Sequence, residues 1–93
     1  MIRSFADKKT ERVFAREQSK RLPPDVQRVG LRKLLVLDAA EDLRDLRVPP
    51  GNRLEALSGS RKGQHSIRID EQWRVCFVWT KAGPEDVEIV DYH

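Results

Sequence analysis

The sequence ends in Asp91-Tyr92-His93, which puts a carboxylate, a phenol and an imidazole at consecutive positions. A strand-like run over 85–90 leads directly into these residues, so we expect the sheet to hold them in a defined place. Side chains of these types transfer protons and orient hydroxyl groups and phosphates. A solvated surface role is the alternative for a terminal histidine, and the preceding residues have to decide between the two.

A second reactive group lies in the segment 73–79, where apolar residues alternate with others. Large apolar side chains occupy one face and are predicted to pack in the core: Trp73, Val75, Phe77 and Trp79. Arg74 falls on the opposite face, because side chains alternate along a strand. A guanidinium stays charged and offers a planar fork of donors to a phosphate. A salt bridge from Arg74 to Glu55 or Asp91 is the competing interpretation.

Composition limits the class of protein that can carry these groups. The chain has 93 residues, 39% hydrophobic and 35% charged, which predicts one folded domain, 1–93. No apolar run approaches the roughly 18 residues that cross a bilayer, and the first residues lack the apolar stretch of a secretion signal. A single cysteine, Cys76, excludes an internal disulfide. We therefore expect a cytoplasmic protein with no membrane attachment, in which Cys76 is buried and unreactive.

The net charge of +3 is distributed unevenly. Residues 1–33 carry ten Lys/Arg against four Asp/Glu, whereas residues 75–93 carry one against four. A second basic group comprises Arg61, Lys62, Arg68 and Arg74. Clustered cations favour a polyanionic partner such as nucleic acid, although solvated helix surface explains the N-terminal cations equally well. None of the usual motifs for a metal, a cofactor or a phosphate loop is present, so we expect neither metal nor cofactor.

The N-terminal half predicts helices. Residues 1–5 alternate as a short strand, and Asp7 is a suitable N-cap for a helix that extends to about Glu17. The prolines at 23 and 24 separate it from a second helix, which begins near Pro24 and continues to about Asp38. A further turn is predicted at 40–46. Gly30 inside the second helix should cost about 1 kcal/mol relative to alanine.

The C-terminal half predicts strands. These lie at 53–57, 64–69, 73–79 and 85–92, joined by a loop at 58–63, a hairpin at 70–72 and a turn at 81–84. In the second strand, Ser66 and Arg68 share a face, and we interpret His65 on the other face as a packing or surface residue. Helices followed by strands predict an α+β fold: two N-terminal helices packed on one face of a mostly antiparallel sheet of about four to five strands.

Segments along the whole chain carry a family resemblance. The segments are NRLEALSGSRKGQHSIRI at 52–69, QWRVCF at 72–77 and VEIVDYH at 87–93, with support from 2–5 and 21–24. Together they resemble the HigB branch of the RelE/ParE toxins. The resemblance implies a RelE-like fold and a bacterial toxin of a type II toxin–antitoxin pair that enters the ribosome and cuts translated mRNA without a metal. It also implies a helix-turn-helix, HigA-like antitoxin that inhibits the toxin and represses the operon by binding operator DNA.

The resemblance also implies which residues take part in catalysis and RNA binding. Five residues stand at the family's catalytic positions: Glu55, Arg74, Asp91, Tyr92 and His93. Ser58 matches an RNA-contacting position, and local positive charge adds three RNA-binding candidates: Arg61, Lys62 and Arg68. Glu55 stands where some relatives have histidine, and Ser58 where many have lysine. Serine brings no positive charge to the phosphorane. Either Arg61 or Lys62 supplies that charge, or this protein cuts more slowly, or the ribosome supplies more of the catalysis.

The expected chemistry assigns a role to each group. RNA cleavage without a metal needs deprotonation of the ribose 2′-OH, stabilisation of the phosphorane and protonation of the 5′-oxygen. His93 suits proton transfer, as a base rather than an acid, and Arg74 suits the phosphorane. Tyr92 can orient the 2′-OH or stack on a base, while Asp91 positions His93 or an arginine. Glu55 is a second candidate base.

Two other functions remain open from the sequence. The first is a ParE-like growth inhibitor that acts on DNA gyrase without cutting RNA, and such a protein would not need the terminal triplet. The second is a catalytically weak regulator that only engages an antitoxin, which Ser58 makes conceivable.

Overall fold

Two helices and four strands form in the predicted order in a computed structural model, which describes residues 1–92. His93 lies outside the described residues. The helices are α1 (Lys8–Phe14) and α2 (Pro24–Ala39), and the strands are β1 (Glu55–Ala56), β2 (His65–Arg68), β3 (Trp73–Thr80) and β4 (Gly83–Asp91). The strands form one antiparallel sheet in the order β1-β2-β3-β4. The α+β prediction is confirmed.

Helix α1 ends earlier than predicted, at Phe14 instead of about Glu17. Arg16 adopts a φ of 64°, in the left-handed region. The Arg16 N–H donates to the Val13 carbonyl at 3.0 Å, and the Glu17 N–H donates to the Arg12 carbonyl at 2.8 Å. This hydrogen-bond pattern closes a helix C-terminus and usually has glycine at the left-handed position. A residue with a Cβ there costs of order 1 kcal/mol.

Helix α2 packs closely on the sheet. The helix begins at Pro24 and ends at Ala39, one residue past the prediction. A Cβ at Gly30 would lie 3.2 Å from the Ile89 Cδ1 atom and 3.6 Å from the Ile69 Cδ1 atom. The helix therefore accepts the cost of glycine because a larger residue would crowd the sheet. The further turn predicted at 40–46 is a 3₁₀ turn at Leu43–Arg47.

The core lies between the helices and one face of the sheet. Its most buried apolar side chains are Leu34, Leu37, Leu46, Ile67, Val75, Phe77, Val87 and Ile89. The opposite face of the sheet, here called the open face, carries the residues that alternate with these. Neither helix within residues 1–92 is long and apolar enough to cross a membrane.

The two edges of the sheet differ from the prediction. The segment 1–5 runs parallel to β4 but forms only one bridge, between Phe5 and Val87, with the Arg3 N–H donating to the Pro84 carbonyl at 2.8 Å. Strand β1 is two residues long instead of five. Arg53, two residues before it, is left-handed with a φ of 45°, so the extended backbone cannot begin there. The β3–β4 register also shifts between Cys76 and Val78.

Thr10 fastens α1 to the terminal strand. Its backbone N–H donates to the Asp7 carboxylate at 2.8 Å, which confirms the predicted N-cap. Its hydroxyl oxygen accepts the Ile89 N–H of β4 at 2.9 Å, and Thr10 is fully buried. The hydroxyl therefore satisfies a strand donor that water does not reach.

Replacing Thr10 with valine should lower the free energy of unfolding by about 1–3 kcal/mol, because the buried Ile89 N–H loses its acceptor while the volume stays the same. Urea denaturation measures the change. Thr10→Ser keeps the hydroxyl and serves as the control, with a loss of about 1 kcal/mol from the missing methyl group. A valine variant as stable as the wild type would contradict this role.

Candidate functional site

Strand register arranges the open face in two rows. Glu55, Ser66, Cys76 and Glu88 are paired across the four strands, and in the next row Arg68 pairs with Arg74, and Arg74 with Val90. Paired residues of an antiparallel sheet place their side chains on the same face, with Cβ atoms about 5 Å apart. Residues separated by up to 35 positions in the sequence therefore meet on one surface.

Arg74 is held in place by neutral acceptors. Its Nε donates to the Ser66 hydroxyl at 2.7 Å, and its Nη2 donates to the Arg53 carbonyl at 2.6 Å. The left-handed backbone at Arg53 is part of the turn that presents this carbonyl. The Glu55 carboxylate is farther away, at 4.0 Å from Nη2, and its side chain is 55% exposed against 11% for Arg74. The predicted contact with Glu55 exists, but hydroxyl and carbonyl oxygens make the close hydrogen bonds.

Arg68 lies directly across from Arg74 on the open face. Like charges opposite each other in a sheet repel. Within residues 1–92, the Arg68 side chain makes no hydrogen bond or ion pair. The two guanidinium groups therefore form a positive site that the Glu55 carboxylate, 4.0 Å from Arg74, offsets only in part, and an anion such as a phosphate would stabilise it.

Arg61 is held differently, by a carboxylate. Its Nη1 donates to Glu88 Oε1 at 3.1 Å and to Gln64 Oε1 at 3.0 Å. Both members of the ion pair are about 30% exposed, with side-chain values of 29% and 28%. The pair sits on the same face as Cys76. Of the two cations proposed to compensate for Ser58, Arg61 is therefore the one that the fold fixes beside the Arg74 row.

The other two RNA-binding candidates lie in the turn after β1. Ser58 precedes the 3₁₀ turn Gly59–Arg61 and is exposed, and its hydroxyl does not cap that turn. Lys62 follows the turn and is also exposed. Neither side chain is fixed to the open face by a hydrogen bond within residues 1–92.

The terminal triplet is only partly described. Asp91 pairs with Trp73, and its carboxylate accepts from Gln72 Nε2 at 3.0 Å. Because Trp73 and Arg74 alternate, Asp91 and Arg74 leave the sheet on opposite faces. The Tyr92 N–H donates to the Gln72 carbonyl at 2.7 Å, and the Tyr92 side chain is 37% exposed. The predictions for His93 fall outside the described residues.

His65 packs on the core side of the sheet, as one of its two interpretations predicted. Its ring stacks on Phe77 with centroids 6.3 Å apart and an angle of 23° between the planes. The Nδ1 atom is buried without a hydrogen-bond partner among residues 1–92. No group of three or more His, Cys, Asp and Glu side chains in this range is arranged to hold a metal ion.

The sequence did not predict three residues that hold the arginines in place: Ser66, Gln64 and Glu88. Alternation along β2 and β4 already assigns Ser66 and Glu88 to the Arg74 face, so the hairpin register was the signal that could have found two of them. Gln64 gave no signal, because its contact depends on the path of the loop 58–63.

Comparison with known proteins agrees with this arrangement. Residues 3–93 match the family described as the RelE-like toxin of type II toxin-antitoxin system HigB. The chain is 44% identical to "Toxin HigB-1" of Vibrio cholerae over 80 residues, which are 85% of this chain and 84% of the relative. It is 31% identical to "Endoribonuclease HigB" of Proteus vulgaris, with full coverage of both chains. An uncharacterized Haemophilus influenzae protein is 37% identical over 61% of this chain.

The chain therefore belongs to the HigB-like toxins of type II toxin–antitoxin systems. Membership of such a system implies an antitoxin partner.

Cys76 lies in the floor of the open face and is buried, as predicted. Burial raises the pKa of its thiol; Arg61 and Arg74 lower the pKa and Glu88 raises it, all by smaller amounts. A raised pKa leaves less thiolate at neutral pH, and the thiolate is the reactive form.

At pH 7.5 the Cys76 thiol of the folded protein should react with a thiol reagent at least about 100-fold more slowly than that of the urea-unfolded chain. Equal reaction rates in the folded and unfolded states would contradict the burial of Cys76 beneath the Arg61 and Arg74 side chains.

Proposed function

We propose that this protein is a metal-independent endoribonuclease that cuts mRNA while the ribosome translates it. The supporting observation is the pair Arg68 and Arg74 on the open face, with Arg74 fixed by neutral acceptors and Arg68 lacking an acidic partner within residues 1–92. A phosphodiester would supply the negative charge that Arg68 lacks and that Glu55, at 4.0 Å from Arg74, supplies only in part. The name of the Proteus vulgaris relative supports the same activity.

The proposed reaction is an attack within the RNA strand. The ribose 2′-oxygen bonds to the adjacent phosphorus, the bond from phosphorus to the 5′-oxygen breaks, and the products are a 2′,3′-cyclic phosphate and a free 5′-hydroxyl. A base removes the 2′-OH proton, and an acid protonates the departing 5′-oxygen. The pentacovalent phosphorane carries additional negative charge, which fixed positive groups stabilise most effectively.

Arg74 is proposed to stabilise the phosphorane. Ser66 and the Arg53 carbonyl already orient its guanidinium, so little reorganisation is needed as the charge develops. Its Nη1 donates to no group within residues 1–92 and remains for the substrate. Glu55, at 4.0 Å from Arg74 Nη2, is close enough to serve as the second candidate base.

The terminal residues are proposed to handle the protons. His93 is the preferred base because an imidazole titrates near neutral pH. Tyr92 directly follows β4 with its side chain exposed, and it can orient the 2′-OH or stack on a base. Asp91 lies across from Trp73 instead of beside Arg74, so its proposed role is to position His93.

The proposed setting is the bacterial cytoplasm. The ribosome holds the mRNA in the geometry for attack, and a HigA-like helix-turn-helix antitoxin inhibits the toxin and takes it to operator DNA. Association with the ribosome should weaken steeply as salt rises, because cationic contacts with RNA release counterions.

Arg74→Ala and His93→Gln should each reduce the rate of cleavage of translated mRNA by about 100-fold or more, because one removes phosphorane stabilisation and the other proton transfer. The measurement is the appearance of new mRNA 5′ ends in a reconstituted translation reaction with purified protein. Lys81→Ala removes an exposed cation from the β3–β4 turn and is the charge control.

The same variants separate the competing functions. A gyrase inhibitor would still arrest growth with His93→Gln and would leave translated mRNA intact. A purely regulatory protein would leave both mRNA and growth unaffected in the wild type. Intact mRNA in the wild-type reaction contradicts the proposal in either case.

Arg61 is proposed to provide the second positive charge in place of a lysine at position 58, because Glu88 and Gln64 fix it on the open face. Arg61→Met should lower the cleavage rate by about tenfold to 100-fold. Lys62→Met is the matched control and should change it less than about threefold, since a flexible exposed lysine adds little fixed charge. Equal losses in both variants would show that general attraction, and not the placement of Arg61, matters.

A further inference from the structure

A large groove lies in the helix layer, away from the open face. It runs between the end of α1, the segment 15–22 and the start of α2, with a volume of about 680 Å³. Its floor is apolar and comprises Val13, Leu22, Pro24 and Leu31. Val13 and Leu22 are already buried, at 2% and 4% exposed, so the apolar surface left for a partner belongs mainly to Pro24 and Leu31. We call it the helix groove.

The rim of the helix groove is strongly cationic. Arg16, Lys20 and Arg28 line it together with one acid, Glu17. An adjoining cleft shares Ser19 with the groove and adds four further cations, Lys8, Lys9, Arg12 and Arg21, together with Asp7. Two of these seven cations already have partners: Asp7 pairs with Lys9 and Asp25 pairs with Arg28. Most of the positive charge is therefore uncompensated within residues 1–92.

The groove is preformed because one glutamine of α2 holds its wall. Gln27 Nε2 donates to the Ser19 carbonyl at 2.6 Å and to the Leu22 carbonyl at 2.7 Å, and Gln27 Oε1 accepts the Ser19 N–H at 3.0 Å. These bonds fix an irregular segment that has no helix or strand of its own. A partner that binds here would not have to order the wall, which favours affinity.

The conformation of Arg16 is also significant. Glycine is the usual residue in its left-handed position, yet here the position carries an exposed cation on the groove rim. Strain that persists at one residue commonly marks a functional surface. The groove rim therefore carries a cation at a position where glycine would be less strained.

We infer that the helix groove is the docking surface for the antitoxin, and that it receives an acidic, amphipathic segment of that protein. Apolar side chains of the segment cover Pro24 and Leu31, while flanking Asp and Glu residues meet Arg16 and Lys20. The inference rests on membership of a toxin–antitoxin family and does not require the RNA cleavage proposed above.

The apolar floor distinguishes this occupant from two others. A ribosomal RNA backbone would satisfy the cationic rim but would leave the floor without an apolar partner. A second copy of this chain would bring a like-charged rim against the first, and repulsion would oppose the contact. An acidic protein segment satisfies both the floor and the rim.

The test uses the purified full-length chain and the purified antitoxin encoded by the adjacent reading frame. Isothermal titration calorimetry at low and at moderate salt should show at least a tenfold weaker affinity for Arg16→Gly and for Lys20→Glu than for the wild type. Lys81→Glu makes the same charge change on the β3–β4 turn and should bind normally. The Arg16→Gly variant should have an unchanged or higher melting temperature, which separates its binding loss from any folding defect.

Amide hydrogen exchange on the wild-type complex locates the surface without a mutation. Exchange should slow across 13–31 when the antitoxin is added. The inference is overturned if protection is confined to β1–β4, if the groove variants bind the antitoxin normally, or if the wild type does not bind it. It is overturned also if these variants lose only ribosome co-sedimentation, which would assign the groove to RNA, or if the free chain dimerises through it.

Discussion

A guanidinium on the open face of the sheet must keep its charge and its geometry at the same time, and at Arg74 the fold meets this requirement with uncharged acceptors at close range and Glu55 no nearer than 4.0 Å. Its side chain is only 11% exposed, yet its close acceptors are the Ser66 hydroxyl and the Arg53 carbonyl. A carboxylate at hydrogen-bonding distance would offset part of the charge, as Glu88 does for Arg61, which it holds in place at the same time. Neutral acceptors fix the orientation of the Arg74 guanidinium without offsetting its charge, so its positive potential remains available to a ligand.

The antiparallel order of the strands makes this arrangement possible. Because β2, β3 and β4 are successive neighbours, their paired residues bring Arg68, Arg74 and Val90 into one row. The helices cover only the other face, with Gly30 allowing α2 to approach Ile89 and Ile69. The protein thus presents two distinct cationic surfaces: the open face, to which we assign RNA, and the helix groove, to which we assign the antitoxin. Their separation on the two sides of the sheet lets each be altered without touching the other.

Much of the fold follows from local patterns, and the discrepancies have physical causes. Alternation from Trp73 onward predicted the face of Arg74, and the prolines at 23 and 24 predicted the start of α2. The early end of α1 and the short β1 were not predicted, because both depend on non-glycine residues, Arg16 and Arg53, in left-handed conformations that composition does not reveal. The acceptors of Arg74 depend on the register and on a backbone carbonyl. Neither is visible in residue types alone, whereas the family resemblance indicated Arg74 itself.

The most direct measurement is the structure of the wild-type protein on a translating ribosome whose mRNA carries a 2′-O-methyl group at the cleavage position, so that attack is blocked. The account predicts that the phosphate following that ribose lies over the open face, with its oxygens about 3 Å from the Arg74 guanidinium and Ser66 still bonded to Nε. A complex in which the mRNA instead contacts the helix layer, with the open face turned away from every phosphate, would contradict it.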